Sequence, residues 1–227
     1  MASSHSGVKD RLISSPVSSP WSRTPTPPSI RRAYTIASEP GQPIEFFITR
    51  VDEGELSGHL VDLPVGSPLW VRRTVSGLFT RKNVSDASVL WLMGTRTGLA
   101  PYISMLRHGK IFERHDHVVV VHGVNHRGEL AYLDELKALC RAQPLTWIPC
   151  VADEDIGMGY HGSILQAFTS GALDELSEKP LNGKHAHAML CRDPAMVKKM
   201  MILLARRRQM PLYKPHNPGR VTIECYW

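Results

Sequence analysis

At 227 residues the chain can bury one large core or two small ones. Its 42% hydrophobic and 21% charged residues match an ordinary globular protein, and no apolar run approaches the roughly 20 residues of a membrane-spanning helix, so disordered and membrane-spanning classes are excluded. The net charge of +6 indicates an acidic partner but does not distinguish a protein from a phosphate or a nucleic acid.

The first 31 residues are rich in serine and proline and carry no helical or alternating apolar pattern. We therefore predict a disordered tail over 1–31. The few acids in this stretch also suggest an organellar transit peptide, but Pro16 and Pro20 would interrupt its amphipathic helix, and disorder is the better interpretation.

Residues 32–83 have the pattern of a small β domain. Alternating apolar residues predict strands over 33–37, 44–51 and 68–74, and a short helix is expected over 57–63. Three strands and a helix do not close a barrel, so this segment is predicted to be a partial antiparallel β-barrel.

From residue 84 onward strands alternate with helices. The predicted strands are 89–93, 118–121, 146–151, 188–191 and 220–227, and the predicted helices begin at Ala100 or span 128–142, 164–168 and 194–208. Continuous apolar runs such as 118–121 are typical of strands buried on both faces. The fold class is therefore α/β, with a doubly wound, mostly parallel sheet whose ligands bind beyond the carboxyl ends of the strands.

The four cysteines are far apart in the sequence and form no CxxC pair. They are Cys140, Cys150, Cys191 and Cys225. This spacing predicts unpaired thiols, no metal site and a reduced, cytoplasmic compartment.

Three motifs are candidates for chemistry. A small-residue turn, GTRTGLAP at 94–101, follows the first buried strand and suits a nucleotide diphosphate, although such a turn alone is a weak signal. An arginine, an aromatic ring and a hydroxyl group stand together at 32–35, where an ordinary edge strand is the alternative. The chain ends on Tyr226 and Trp227, which would either stack on a cofactor or dock a last strand into the core.

The order of these motifs, together with Leu56-Ser57 and the CRDP segment at 191–194, resembles the bacterial ferredoxin/flavodoxin–NADP reductases over 32–227. The resemblance implies an FAD-binding domain at 32–83, incomplete here, and an NAD(P)-binding domain at 84–227 with an aromatic tail that returns to the flavin. It implies electron transfer between NAD(P)H and an acidic ferredoxin or flavodoxin through FAD. We expect a cytoplasmic monomer that binds neither nucleic acid nor membrane.

The resemblance also assigns residues. The catalytic set is Tyr34, Thr35, Cys191 and Glu224. The FAD set is Arg32, Ala33, Tyr34, Thr35, Glu55, Leu56, Ser57, Thr97, Tyr226 and Trp227. The NAD(P) set is Gly94, Thr95, Thr97, Gly98, Asn125, Arg127, Asp153, Ser163, Cys191 and Asp193. In these roles Arg32 pairs with the flavin diphosphate, Tyr34 stacks on the flavin ring, and Thr35 stands where relatives have serine.

The sequence departs from the family pattern at several points. About two strands that the family carries before Arg32 are replaced by the Ser/Pro-rich stretch. Arg96 and Arg192 stand where relatives have glycine, and each side chain would either meet a phosphate or block the site. The arginines that hold the NADP 2′-phosphate in relatives fall on Asn125, Asp153 and Ser163, which predicts a shift toward NADH unless Arg127 replaces one of them.

Two other functions are weighed against the reductase. A non-catalytic nucleotide-binding or interaction protein is favoured by the missing strands and the two glycine-to-arginine positions. A nucleic-acid-binding protein is disfavoured because the sequence carries no motif for that role. The basic residues at 198–199 and 206–208 are expected either to dock an acidic carrier or to form a solvated helix face.

Overall fold

A computed structural model describes residues 32–51, 53–71, 77 and 79–225. Its centre is a six-stranded sheet in the order β4-β3-β2-β1-β5-β6, in which every neighbouring pair is parallel. The strands are β1 (Val89–Thr95), β2 (His117–Val124), β3 (Leu145–Val151), β4 (Tyr160–His161), β5 (Ala186–Arg192) and β6 (Val221–Cys225). The predicted parallel sheet is thus confirmed.

Helices cover both faces of this sheet and bury both sides of its strands. In β1, Leu90 and Leu92 belong to the core under α2 and α3, whereas Trp91 and Met93 belong to the core under α4, α5 and α6. The helices are α1 (Ser57–Asp62), α2 (Ala100–His108), α3 (Leu133–Ala142), α4 (Ile164–Ser170), α5 (Ala172–Ser177) and α6 (Pro194–Arg208). This two-sided burial explains why the strands carry continuous apolar runs.

The structure of the sheet region differs from the sequence-based prediction at three points. The helix predicted from 128 begins at Leu133, because Tyr132 has a left-handed φ of 56° and a separate 3-10 turn precedes it. The two-residue edge strand β4 and the helix α5 were not predicted from the sequence. Both are short, and short elements carry little periodicity.

The described residues of 32–83 do not show the predicted partial barrel. The stretches 33–37 and 44–51 meet at a single antiparallel bridge between Ile36 and Phe46, and 68–71 is not a strand. Side chains of α2 take backbone groups that a ladder would use, since Ser104 Oγ donates to Ser38 O at 2.7 Å and Arg107 Nη1 donates to Ala37 O at 3.3 Å. The predicted helix is confirmed as α1.

We call residues 32–84 the front segment. Four of the five buried apolar residues described there, Ala37, Phe47, Phe79 and Val84, join the core on the α2/α3 face of the sheet, and the fifth is Leu60 of α1. Most of the buried apolar side chains of the front segment therefore pack onto the sheet.

Other predictions concern residues outside this region. The tail 1–31, residues 72–74 of the third predicted strand, Tyr226 and Trp227 lie outside the described residues. All four cysteine thiols are unpaired, and none of the helices in the described ranges has the length and apolar character needed to cross a membrane.

Candidate functional site

An open cleft of about 350 Å³ lies at the carboxyl edge of the sheet, between the turn after β1 and the starts of α4 and α6. Its wall includes four residues of the predicted NAD(P) set: Thr95, Asn125, Ser163 and Asp193. It also includes Arg96, Arg192 and Lys199. Its place, beyond the ends of parallel strands, is where open α/β sheets bind ligands.

The glycines of the 94–101 turn are packed against protein. A Cβ on Gly94 would lie 2.7 Å from Gly98 O and 3.0 Å from the Tyr102 ring. A Cβ on Gly98 would lie 2.9 Å from both Arg192 Cβ and Cys191 O. These glycines therefore let the turn after β1 approach α2 and the end of β5, while the residues between them carry the side chains that reach the cleft.

Arg96 and Arg192 both have left-handed backbones, with φ of 45° and 88°. This is the conformation that favours glycine, so the chain keeps a glycine-like backbone while carrying two long cations. Arg96 Nε lies 3.6 Å from Glu129 Oε2, and its carbonyl accepts a hydrogen bond from His122 Nε2 at 3.1 Å.

His122 is a site residue that the sequence reasoning missed. It is fully buried, and burial lowers the pKa of its imidazole to about 4, so the ring is neutral and its Nε2–H donates to the Arg96 carbonyl. Its Nδ1 has no hydrogen-bond partner within the described parts of the chain. The sequence feature that could have identified His122 is its place as a polar residue directly after the apolar run 118–121.

Of the three residues predicted to replace the family's 2′-phosphate arginines, Asn125 and Ser163 line the cleft, and Asp153 lies next to Asn125. Asp153 N donates to Asn125 O at 3.0 Å, and the Asp153 carboxylate lies 3.5 Å from His126 Nε2. Ser163 caps α4 in a reciprocal capping box with Gln166. The backbone N–H of Arg127 donates to Glu154 at 2.7 Å, and its side chain is exposed.

Two predicted catalytic residues are neighbours on adjacent strands, since Cys191 of β5 is in register with Glu224 of β6. Cys191 is fully buried. Glu224 Oε2 is buried with no hydrogen-bond partner among the described residues, and burial raises the pKa of this carboxyl. Such an oxygen is suited to accept a donor from a ligand or to hold a proton.

All but one of the predicted flavin residues of the front segment are at least partly accessible. The Arg32 guanidinium forms a 2.7 Å ion pair with Glu55, and both side chains are more than half exposed. Tyr34 is partly buried beside Phe46, with ring centroids 6.3 Å apart, and desolvation raises the pKa of its hydroxyl. Ala33 is exposed, and Thr35 and Leu56 are partly buried.

Two further residues of the predicted FAD set, Ser57 and Thr97, are buried within the protein. Ser57 is buried, and its Oγ accepts a hydrogen bond from Val51 N at 3.0 Å. Thr97 is buried in the turn after β1. No group of three metal-ligating side chains is found in the ranges that the structure covers.

Comparison with known proteins identifies this arrangement. The family model of the oxidoreductase NAD-binding domain matches residues 92–201. The flavodoxin/ferredoxin–NADP reductase of Shigella flexneri is 33% identical over 201 residues, which cover 87% of this chain and 81% of the relative. The reductase of the same name from Escherichia coli K12 is 32% identical, with the same coverage of both chains.

The fold also matches a solved structure. The ferredoxin NADP+ reductase from Neisseria gonorrhoeae, solved with bound FAD and NADP, superposes with a TM-score of 0.81. The match covers 86% of this chain and 80% of that one, at 22% identity. The likeness therefore includes the front segment as well as the sheet.

Proposed function

Because the chain belongs to the flavodoxin/ferredoxin–NADP reductase family, we propose that it is an FAD-dependent oxidoreductase that passes electrons between NAD(P)H and ferredoxin or flavodoxin. The observation that carries this function is the nucleotide cleft at the carboxyl edge of a parallel sheet, in a chain one-third identical to such reductases. In this proposal residues 32–83 bind the flavin and residues 84–227 bind the nucleotide.

The residues present fit a flavin. An exposed guanidinium at Arg32, a partly accessible ring at Tyr34 and a hydroxyl at Thr35 stand within four residues. Arg32 would exchange the Glu55 carboxylate for a phosphate, which offers the same charge-assisted hydrogen bonds. Glu224 Oε2, buried without a hydrogen-bond partner among the described residues, is a second atom to which a bound group could donate a hydrogen bond.

When bound, FAD supplies hydride acceptance from the nicotinamide and one-electron release to the carrier. The chain's own residues supply position and electrostatics. In this proposal Glu224 of β6 would lie near the nicotinamide, with the fully buried Cys191 of β5 in register beside it. Burial raises the pKa of the Glu224 carboxyl, which favours its protonated form.

The acidic carrier would dock on the basic residues of α6. Lys198, Arg206 and Arg207 are exposed. Arg208 is tied into the fold instead, through an ion pair with Asp174 at 2.5 Å and a cation–π contact with Phe168 at 5.3 Å. Rim charges of this kind mainly raise the association rate, so the effect should weaken with salt.

Purification with added FAD tests the proposal. We expect a yellow protein that reduces an artificial acceptor such as ferricyanide from NADH or NADPH, and that reduces flavodoxin faster at low ionic strength. A colourless protein that takes up no FAD on titration but still binds nucleotide would instead favour a non-catalytic nucleotide-binding role.

A further inference from the structure

Two of the cleft's cations stand on strained backbone. Arg96 follows β1 directly and Arg192 ends β5, so both lie at the carboxyl edge, and both are left-handed. Non-glycine residues in this conformation persist where the surrounding structure imposes it, and such residues cluster at ligand sites.

Two of the other left-handed, non-glycine residues in the described ranges have an ordinary explanation. Glu178 ends α5 and Gln209 ends α6, and C-terminal helix caps commonly use this conformation. A third, Tyr132, precedes α3. Arg96 opens a short 3-10 turn and Arg192 precedes the cap of α6, so neither residue ends a helix. They instead face a common cleft from two neighbouring strands, β1 and β5.

Neighbouring groups hold both arginines in place. His122 Nε2 donates to the Arg96 carbonyl, which fixes the turn from below. Gly98 packs against Arg192 Cβ so closely that a methyl group there would clash. The glycine-like geometry is therefore built into the surrounding core, and a long side chain at either position extends from a fixed point.

Helix N-termini do not supply the positive potential in this cleft. The first amides of α6 are bound by the Asp193 carboxylate, which accepts from Ala195 N at 2.8 Å and Met196 N at 3.4 Å. The start of α4 is closed by the capping box of Ser163 and Gln166. With the N-termini of α4 and α6 occupied, the positive charge at the cleft comes from the side chains of Arg96, Arg192 and Lys199.

A polar atom of the same wall also lacks a partner. Thr95 Oγ1 is buried and has no hydrogen-bond partner within the described residues, although Thr95 lines the cleft beside Arg96. A buried hydroxyl without a partner indicates a missing ligand or water.

We propose that Arg96 and Arg192 form a clamp for the diphosphate of the bound nucleotide, replacing backbone contacts with charge-assisted side-chain bonds. The identity of the ligand rests on the proposed function, whereas the clamp rests on the cleft geometry. Arg96 exchanges its 3.6 Å contact with Glu129 for a phosphate oxygen, since a shorter charge-assisted bond is the stronger one.

The test compares four glycine variants. Arg96→Gly and Arg192→Gly remove the clamp, and Glu178→Gly and Gln209→Gly relieve the same left-handed backbone away from the cleft. We expect each of the four to keep or raise the melting temperature, by roughly 2–4 °C where strain is released. Dissociation constants for NADH and for ADP-ribose should rise roughly ten- to hundredfold in the two clamp variants only.

Arginine-to-lysine changes refine the test, because lysine keeps the charge but loses the planar fork. We expect Arg96→Lys and Arg192→Lys to bind with affinity between wild type and the glycine variants. Unchanged or tighter binding by the glycine variants would overturn the clamp, since the arginines would then be spectators or obstructions, and would leave the proposed function intact. Failure of the wild type to bind NADH, NADPH or ADP-ribose at millimolar concentration would overturn both proposals.

Discussion

The front segment and the sheet region are stabilised in different ways. In the sheet, every pair of neighbouring strands is joined by backbone hydrogen bonds, and residues such as Trp91 and Leu92 are fully buried. The front segment contains one antiparallel bridge among its described residues and leaves Val65 92% and Trp70 52% exposed. The sheet is thus held by its own strand pairing and core, whereas the front segment relies on the sheet region for much of its core and for several hydrogen-bond partners.

A small polar network makes that dependence concrete. Arg107 of α2 donates to Glu45 of the front segment at 2.7 Å and to Glu135 of α3 at 2.7 and 2.9 Å. Tyr132 donates to the other oxygen of Glu45 at 2.6 Å. The hydrogen bonds to two carboxylates raise the pKa of Arg107, so its guanidinium stays charged at every pH at which the protein is folded.

The largest effect we expect is acid destabilisation that originates in the sheet region. Burial lowers the pKa of His122 to about 4 and that of His187 to about 3, against about 6.5 in an unfolded chain. The unfolded state therefore binds more protons below pH ~6.5, and the free energy of unfolding, fully present above that pH, falls as the pH drops toward 4. We expect a loss of about 1 kcal/mol per pH unit for each ring, or roughly 4 kcal/mol at pH 4.5.

A matched pair of variants assigns this loss to a region. His187 lies between Ser85 and Thr222, which its ring nitrogens contact at 2.8 Å, and a glutamine keeps a polar, non-titrating group near Thr222. His187→Gln should reduce the slope of unfolding free energy against pH, while His122, the buried His115 and the partly buried His117, whose pKa values burial also lowers, account for what remains. His59→Gln, in the exposed part of α1, should leave the slope unchanged, and an equal effect of both variants would contradict the assignment.

The second effect is release of the front segment by Arg107→Met. The change leaves the Glu45 carboxylate, 13% exposed, without its cation. The cost should lie between the roughly 0–1 kcal/mol of exposed pairs and the roughly 3–5 kcal/mol of fully buried ones, or about 2 kcal/mol. Limited proteolysis should then cut within 32–84 while the sheet stays protected.

The control for this variant is Arg50→Met, which removes an exposed ion pair with Asp62 inside the front segment. Its cost should stay below about 1 kcal/mol, with no new cleavage. If Arg107→Met leaves the protease resistance of the front segment unchanged, that segment has a source of order of its own.

A third variant probes the packing between the turn after β1 and α2. In Gly94→Ala the new methyl group would meet the Gly98 carbonyl at 2.7 Å, which requires a backbone shift. Overpacking of this kind costs about 1–3 kcal/mol. Gly128→Ala, where no atom lies within 4 Å, should change the unfolding midpoint in urea by very little, and equal midpoints for the two variants would refute the packing role.

The sheet could be predicted from the sequence because its signals are local. The apolar run 118–121 identifies a strand buried on both sides by itself. The front segment could not, because its conformation depends on partners such as Arg107 and Glu45, which are 62 residues apart. The alternation at 44–51 predicted a strand with one apolar face, but Phe47 is its only buried residue, because alternation does not supply a neighbouring strand.

The candidate site divides in the same way. The turn at 94–101, the CRDP segment and the glycine-to-arginine positions were visible in the sequence. That Arg96 and Arg192 share left-handed backbones and one cleft depends on φ angles and on strand order, which no local pattern encodes. Gly94 and Gly98 were expected to make room for a ligand, but in the structure the space beside them is occupied by protein atoms.

The smallest effect we predict lies in the choice of nucleotide, which the sheet region should set without the front segment. Asp153 is hydrogen-bonded through its backbone to Asn125, which lines the cleft, and a carboxylate there would repel a 2′-phosphate and accept from a ribose 2′-hydroxyl. We expect NADH to bind about tenfold more tightly than NADPH, and Asp153→Asn to narrow that ratio severalfold.

The control is Asp155→Asn, which removes an exposed carboxylate of the same loop and should leave the ratio of the two affinities unchanged. Titration of both nucleotides against the three proteins measures the ratio. NADPH binding tenfold tighter than NADH would show that Arg127 or Arg96 has taken over the lost phosphate contacts.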